Sequence, residues 1–177
     1  MRLGFVLLLL FMLAGCASTP QATRAGYSAS GRVALKVANE RHYAQFDWHQ
    51  LGEQSELSLS GPLGQTAAEL RFSPGRASFR GANQREITAN SADELILEAL
   101  GWPLPVSGLR WWLRGEPDPE LAVTSQSEIE NGRLLLQAGW HIESSDYRGQ
   151  PSLPHKLTLS RSDLEIKVVI SEWQWNP

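Results

Sequence analysis

Of 177 residues, 42% are hydrophobic and 20% charged, a balance that fits a globular chain with a core and excludes a disordered or fibrous one. The formal net charge is −3 and no basic run occurs, so composition gives no sign of nucleic acid as a partner. Cys16 is the single cysteine, which leaves no internal disulfide to form. The chain opens with Met1 and Arg2, then the apolar stretch Leu3 to Leu13 and the small residues Ala14 and Gly15. That is the layout of a secretory signal peptide over residues 1–15. The apolar stretch is too short to span a bilayer, which takes about 20 residues.

Leu13-Ala14-Gly15-Cys16 resembles the lipobox of bacterial lipoproteins. The resemblance implies lipid attachment at Cys16, cleavage before it and three acyl chains as an anchor, a firmer hold than one chain gives. Ala17 stands where, in enterobacterial lipoproteins, an aspartate favours the inner membrane, so the expected address is the outer membrane. The 177-residue chain less a 15-residue leader leaves 162 residues, enough for one domain with one core. With Arg2 lost, the 16 Lys+Arg become 15 against 19 Asp+Glu, a net of −4. Residues 16–30 then read as the acylated cysteine and a flexible tether, and 31–177 as the domain.

From Gly31 the pattern is that of strands. Val33, Leu35 and Val37 alternate with Arg32, Ala34 and Lys36. Tyr43 to Trp48 offers a second strand, and Leu57 and Leu59 alternate with serines in a third. Gly61-Pro62-Leu63-Gly64 turns the chain, and Thr66, Ala68, Leu70 and Phe72 carry it back. Two shorter strands are expected near Ala77 to Arg80 and Arg85 to Thr88. The connections are too short for parallel crossovers, so the sheet is an antiparallel meander.

The period changes at Ser91-Ala92-Asp93-Glu94, a capping box that opens a helix with Leu95, Ile96, Ala99 and Leu100 on one face. Gly101 ends it, and Trp102-Pro103-Leu104-Pro105 is a stiff connector. A second short helix is expected from Ser107 to Arg114, with Leu109, Trp112 and Leu113 on a shared face and Trp111 more exposed than Trp112. Its cations Arg110 and Arg114 read foremost as a solvated face. Both helices are too short to stand alone and must pack on the sheet. Strands resume with a hairpin centred on Asn131-Gly132, from which Leu134 and Leu136 lead away. Trp140 and Ile142, then Leu157 and Leu159, then Leu164 to Ile170 follow with period two, while Trp173 and Trp175 fall on the opposite parity, which suggests a bulge or a fraying end. The expected fold is mainly β: about eleven antiparallel strands in one large curved sheet, with short helices inserted midway against its concave face.

No catalytic constellation emerges. His42, His49, His141 and His155 have no metal-ligand spacing, and Gly-x-Ser-x-Gly, Ser-x-x-Lys and His-Glu-x-x-His are absent. Neither enzyme activity nor a cofactor nor a metal is expected. Two features are unusual. Leu63 sits at a hairpin tip between Pro62 and Gly64, where it either projects or folds back on the sheet. Seven tryptophans are present, large rigid rings suited to lining an apolar cavity or sitting at a membrane surface, although for any one of them the core is the more ordinary place.

The segments Gly31-Arg32-Val33-Ala34-Leu35, Phe46-Asp47-Trp48, Leu57 to Thr66, Leu100 to Val106, Leu109 to Gly115, Gly139-Trp140 and Leu153-Pro154 occur in this order behind the lipobox. Together they resemble the LolB family, the outer-membrane receptor for lipoproteins arriving on the periplasmic carrier LolA. The resemblance implies an eleven-stranded open barrel with helices over an apolar cavity. It also implies nucleotide-independent transfer of triacylated lipoproteins from the carrier to the inner leaflet of the outer membrane. In the family the leucine matching Leu63 projects from its loop and is needed to place cargo in the membrane, so Pro62, Leu63 and Gly64 are the expected insertion loop. Trp48, Leu57, Leu59, Leu95, Leu109, Trp112 and Trp140 are the expected cavity residues. The partners implied are a LolA-type carrier, acylated cargo and the outer membrane, with the domain facing the periplasm as a monomer. The family often carries a helix between tether and first strand, for which only Ala17 to Ser30 is available here.

Overall fold

The computed structural model describes residues 26–83, 85–101 and 103–176. The leader, Cys16, the tether up to residue 25 and Trp102 lie outside the described residues. In chain order the elements are β1 (Gly26–Val37), β2 (Glu40–Leu51), β3 (Gln54–Ser60), β4 (Thr66–Ser73), β5 (Arg76–Gly81), β6 (Glu86–Ala89), α1 (Ala92–Leu100) and α2 (Leu109–Trp112). Five strands follow: β7 (Val123–Ile129), β8 (Gly132–Gln137), β9 (Trp140–Arg148), β10 (Leu153–Arg161) and β11 (Leu164–Asn176).

All eleven strands join one antiparallel sheet in the order β6-β5-β4-β3-β2-β1-β11-β10-β9-β8-β7. Its two edges, β6 and β7, are neighbours in sequence, so the barrel is open between strands that the chain itself connects. The connection carries α1 and α2. The segment that must cross the gap is therefore also the one that covers the concave face.

Directly opposed residues share a face, which makes cross-strand rows the unit of packing. One row runs Phe79, Leu70, Leu57, Trp48, Ala29, Trp173 across β5, β4, β3, β2, β1 and β11. A second runs Leu35, Ile166, Leu159, Ile142, Leu135 across β1, β11, β10, β9 and β8. The buried residues of both rows belong to a core cluster that also holds Trp112 and Leu113 from the connection, apart from Leu70. A second cluster places Ala92, Leu95 and Ile96 of α1 on Leu70 and Ala77.

Several local expectations shift. The first strand begins at Gly26, five residues before Gly31, because Tyr27 and Ala29 are buried with the same parity as the strand that follows. Ser28-Ala29-Ser30 has the composition of a tether and the pairing of a strand. Register slips between Ser30/Gly31 and Glu172/Ile170, leaving Ser171 as an extra residue. A Cβ at Gly31 would lie 2.1 Å from the Val169 carbonyl oxygen, so the close approach at this bulge requires glycine. The bulge reverses the parity of β11 and turns Trp173 and Trp175 inward beside Ala29 and Tyr27.

The β7–β8 hairpin turns on Glu130-Asn131, with Ile129 paired to Gly132, one residue earlier than the Asn-Gly reading. Gly132 is needed within the strand: a Cβ there would meet the Ser144 carbonyl oxygen at 2.0 Å. The inward residues of β8 are correspondingly Leu135 and Gln137, and Leu134 and Leu136 are only half-buried. At α1 the Ser91 hydroxyl accepts from Glu94 N at 3.2 Å, and Gly101 closes the helix with φ +80 and a bond to the Leu97 oxygen. The acidic residue that ties the helix down is Asp93, which accepts from Ser107 N at 3.0 Å and from the Ser107 hydroxyl. α2 is a single turn, shorter than Ser107 to Arg114. Its continuation winds through Arg114 N to Trp111 O and Gly115 N to Trp112 O, the tighter i to i−3 bonds that fray a helix end.

Candidate lipid-binding face and projecting loop

The concave face is apolar by register. Phe46 and Trp48 of β2 stand opposite Leu59 and Leu57 of β3, and Val33, Leu35 and Val37 of β1 stand opposite Val168, Ile166 and Leu164 of β11. The expected cavity residues divide into two groups. Trp48, Trp112, Trp140 and Leu95 are fully buried, whereas Leu57, Leu59 and Leu109 are half-buried. Trp48, Trp112 and Trp140 share the larger cluster, and Leu57 and Leu109 also touch the smaller one, where Leu95 lies. The buried tryptophans fill the concavity; the half-buried leucines lie at its uncovered part. Val33, Leu35, Val37, Leu104 and Trp111 join them there as partly buried apolar side chains packed on the same core. These were not among the sequence candidates, although the period-two run of β1 carried the signal.

The cover is fixed by polar contacts. The Trp112 indole Nε1 donates to Gln137 Oε1 at 2.8 Å, and Gln137 also binds the backbone of Asp118 and Leu121. The Tyr27 hydroxyl donates to the Arg110 carbonyl at 2.5 Å, and burial pushes the phenol well above its ordinary range, with the charge of Arg114 opposing. Of the adjacent tryptophans, Trp112 is buried and Trp111 half-buried, as one-sided packing of a helical turn demands.

Arg110 and Arg114 do not form a solvated face. Their side chains are 18% and 16% exposed, and the Arg114 guanidinium lies 4.9 Å from the Trp111 ring centre and 5.5 Å from that of Tyr27. Glu120 pairs with Arg110 at 3.8 Å, and Glu116 pairs with Arg114. A single turn pressed on the sheet leaves these long side chains between rings, where they stack. With Trp175 they line a cleft of about 390 Å³ at the Gly26 end of the sheet.

The loop between β3 and β4 is closed by two backbone bonds, Gly64 N to Gly61 O at 2.9 Å and Gly61 N to Gln65 O at 3.0 Å. Pro62 takes the second position of this turn, where its fixed φ fits, and Gly64 follows in the left-handed region at φ +79. Leu63 takes the third position and is 93% exposed, the most exposed of the large apolar side chains among the described residues. The turn holds it outward; the folded-back alternative is not adopted.

Residues 25–173 match the family model described as Outer membrane lipoprotein LolB. The chain is 36% identical to the Outer-membrane lipoprotein LolB of Nitrosococcus oceani, over 98% of this chain and 97% of that protein. It is 33% identical to that of Chromobacterium violaceum, over 98% and 99%. In fold alone it is similar to a LolA superfamily protein from Nitrosomonas europaea, with a TM-score of 0.53, 7% identity and 88% of each chain covered. An outer membrane lipoprotein-sorting protein domain from Vibrio parahaemolyticus is similar at a TM-score of 0.52, with 8% identity and 86% of each chain covered.

Proposed function

We propose that this chain, which belongs to the LolB family of outer-membrane lipoproteins, accepts triacylated lipoproteins from a LolA-type periplasmic carrier and releases them into the inner leaflet of the outer membrane. The family is one of lipoprotein-transport receptors and not of enzymes.

Each methylene withdrawn from water is worth about 0.8 kcal/mol, so an acylated cargo must always be sheltered. The half-buried row of Val33, Leu35, Leu57, Leu59 and Leu109 supplies apolar contact, and the α1–α2 connection supplies a removable cover. Lifting Trp112 and Leu113 off the sheet would break the bond to Gln137 and expose further apolar surface that an acyl chain would reoccupy, so the gain from binding is largely offset. Near balance suits a station that must both receive and release, since a tenfold preference at each step takes only about 1.4 kcal/mol. Direction then comes from graded affinities and needs no nucleotide.

The observation that supports release to a membrane is Leu63, held outward in water at the end of the β3–β4 hairpin by a hydrogen-bonded turn. An apolar side chain so placed gains by entering a lipid interface, and it would bring the rim of the open barrel to the bilayer. We place the lipid anchor at Cys16 and the domain in the periplasm, as a monomer.

The test uses the chain from residue 16 with Cys16→Ala, mixed with a lipoprotein-loaded LolA carrier without nucleotide. Recovery of cargo on this chain by pull-down is the expected result. Cargo that stays on the carrier while the folded protein still binds free acyl chains would replace transfer with passive lipid binding.

A further inference from the structure

The convex side of the sheet carries an arrangement that acyl-chain binding does not use. On β2, β1 and β11 the outward residues form three rows: Arg41, Lys36 and Glu165; Tyr43, Ala34 and Lys167; Gln45, Arg32 and Val169. Four of these nine are cationic and one is anionic, in a chain whose processed form, with 15 Lys+Arg against 19 Asp+Glu, is net acidic at −4. Glu165 is engaged by Lys167 at 3.2 Å, whereas Arg32, Lys36 and Arg41 have no ion pair among the described residues. Other carboxylates lie outside the grid. Glu40 and Asp163 are at the adjoining turns, and Asp47 and Glu172 are opposite Ser30 further along the same face. The face is thus basic toward one end and acidic toward the other.

Apolar groups stand among the cations. Tyr43 is 67% exposed and Val169 40%. Pro62, from the turn that carries Leu63, lines the same depression of about 480 Å³ as Ala34, Tyr43 and Val169. The projecting leucine and the basic grid are therefore continuous.

We propose that this grid is a docking surface for an anionic phospholipid bilayer, which seats the outer face of β1, β2 and β11 on the headgroups with Leu63 dipping beside it. Charge complementarity selects the anionic surface. The interleaved tyrosine, valine and leucine select a bilayer over an acidic protein, because only a bilayer offers an apolar layer beneath its charged one. Each cation brought to such a surface is worth about a fivefold factor in binding.

Flotation with vesicles tests this, using the chain from residue 16 with Cys16→Ala so that no anchor contributes. Vesicles containing phosphatidylglycerol should bind at least about tenfold more tightly than pure phosphatidylcholine at about 0.1 M salt, and the difference should vanish near 1 M, where the screening length is about 3 Å. The double variant Arg32→Glu with Arg41→Glu should lose the preference. Arg76→Glu with Arg85→Glu, which changes net charge equally at other turns, should keep it. Should the first pair unfold, Arg32→Gln with Arg41→Gln makes the same test. Absence of any lipid preference, or equal loss in both pairs, overturns the proposal. So does a grid variant that binds vesicles normally but fails to take cargo from the carrier, which would assign the surface to the carrier. The flotation assay contains neither carrier nor cargo, so its outcome is separable from that of the transfer reading.

Discussion

Gln137 and Trp112 are joined by a buried hydrogen bond of 2.8 Å, and through it the cover is fastened to β8. Gln137 is fully buried, and its side chain spends its whole hydrogen-bonding capacity there. Its oxygen accepts from Trp112 Nε1 and Asp118 N, and its nitrogen donates to the Asp118 and Leu121 carbonyls. Gln137→Leu would strand four partners in a dry site, at about 1–3 kcal/mol for each that water cannot reach. The expected loss in urea denaturation is on the order of 3–5 kcal/mol. Trp112→Phe removes one donor and should cost less, and the double variant should lose less than the two singles combined. Strict additivity would mean that the two side chains do not act as one fastening.

The residue before α2 depends on the same fastening. A Cβ at Gly108 would lie about 2.9 Å from two Trp112 ring carbons, and the ring cannot retreat while its nitrogen is held by Gln137. Gly108→Ala should therefore cost about 1–3 kcal/mol, the usual range for overpacking. In a Trp112→Phe background the smaller, untethered ring can yield, and the penalty should shrink. Denaturant midpoints of the four variants decide this; an unchanged penalty would place the strain elsewhere.

The sheet was legible from the sequence because one face of nearly every strand is apolar. Val33, Leu35 and Val37, or Leu164 to Ile170, announce their parity without help. What was hidden depended on partners distant in sequence. Ser28 to Ser30 has no apolar pattern of its own and becomes strand only because β2 and β11 lie on either side. The inward parity of β8 was masked by three consecutive leucines, and the inward position after Leu135 is a glutamine, whose burial makes sense only once Trp112 and Asp118 converge on it. Arg110 and Arg114 read as solvent-facing since nothing local reveals that Tyr27 and Trp175 close over them. Leu63 was legible as a place from its flanking proline and glycine, but its projection rests on the two hydrogen bonds that close the turn.

Tyr27 links the cover to pH. Its phenol is raised well above the ordinary tyrosine value of 10.0, chiefly by burial, so the folded state keeps a proton that the unfolded state releases near pH 10. The sign follows. This group's contribution is intact below pH 10, and stability falls as pH climbs above it, by up to about 1.4 kcal/mol per pH unit. Tyr27→Phe should lose about 1 kcal/mol at neutral pH with its bond to the Arg110 carbonyl, and its stability should then decline less steeply above pH 10. Parallel declines for the two proteins between pH 9 and 12 would remove Tyr27 as the cause.

Leu63 separates receiving from releasing. With 93% of its surface in water and no packing partner to lose, Leu63→Glu should leave stability within about 0.5 kcal/mol. Acceptance of cargo from a loaded carrier should be unchanged, because the concave face is untouched. Delivery into vesicles should fall sharply, as a carboxylate cannot enter the interface, and Leu63→Ala should show an intermediate loss. Gly64→Ala is the conformational counterpart: at φ +79 a Cβ meets no atom within 4 Å, so only backbone strain of about 1 kcal/mol opposes it. Relieving that strain would reopen the turn and misdirect Leu63, so delivery should drop although the leucine is still present. Cargo acceptance by pull-down and delivery by vesicle flotation, measured on the same samples, decide the matter. If Leu63→Glu delivers as well as the parent, the exposed leucine is not the release element.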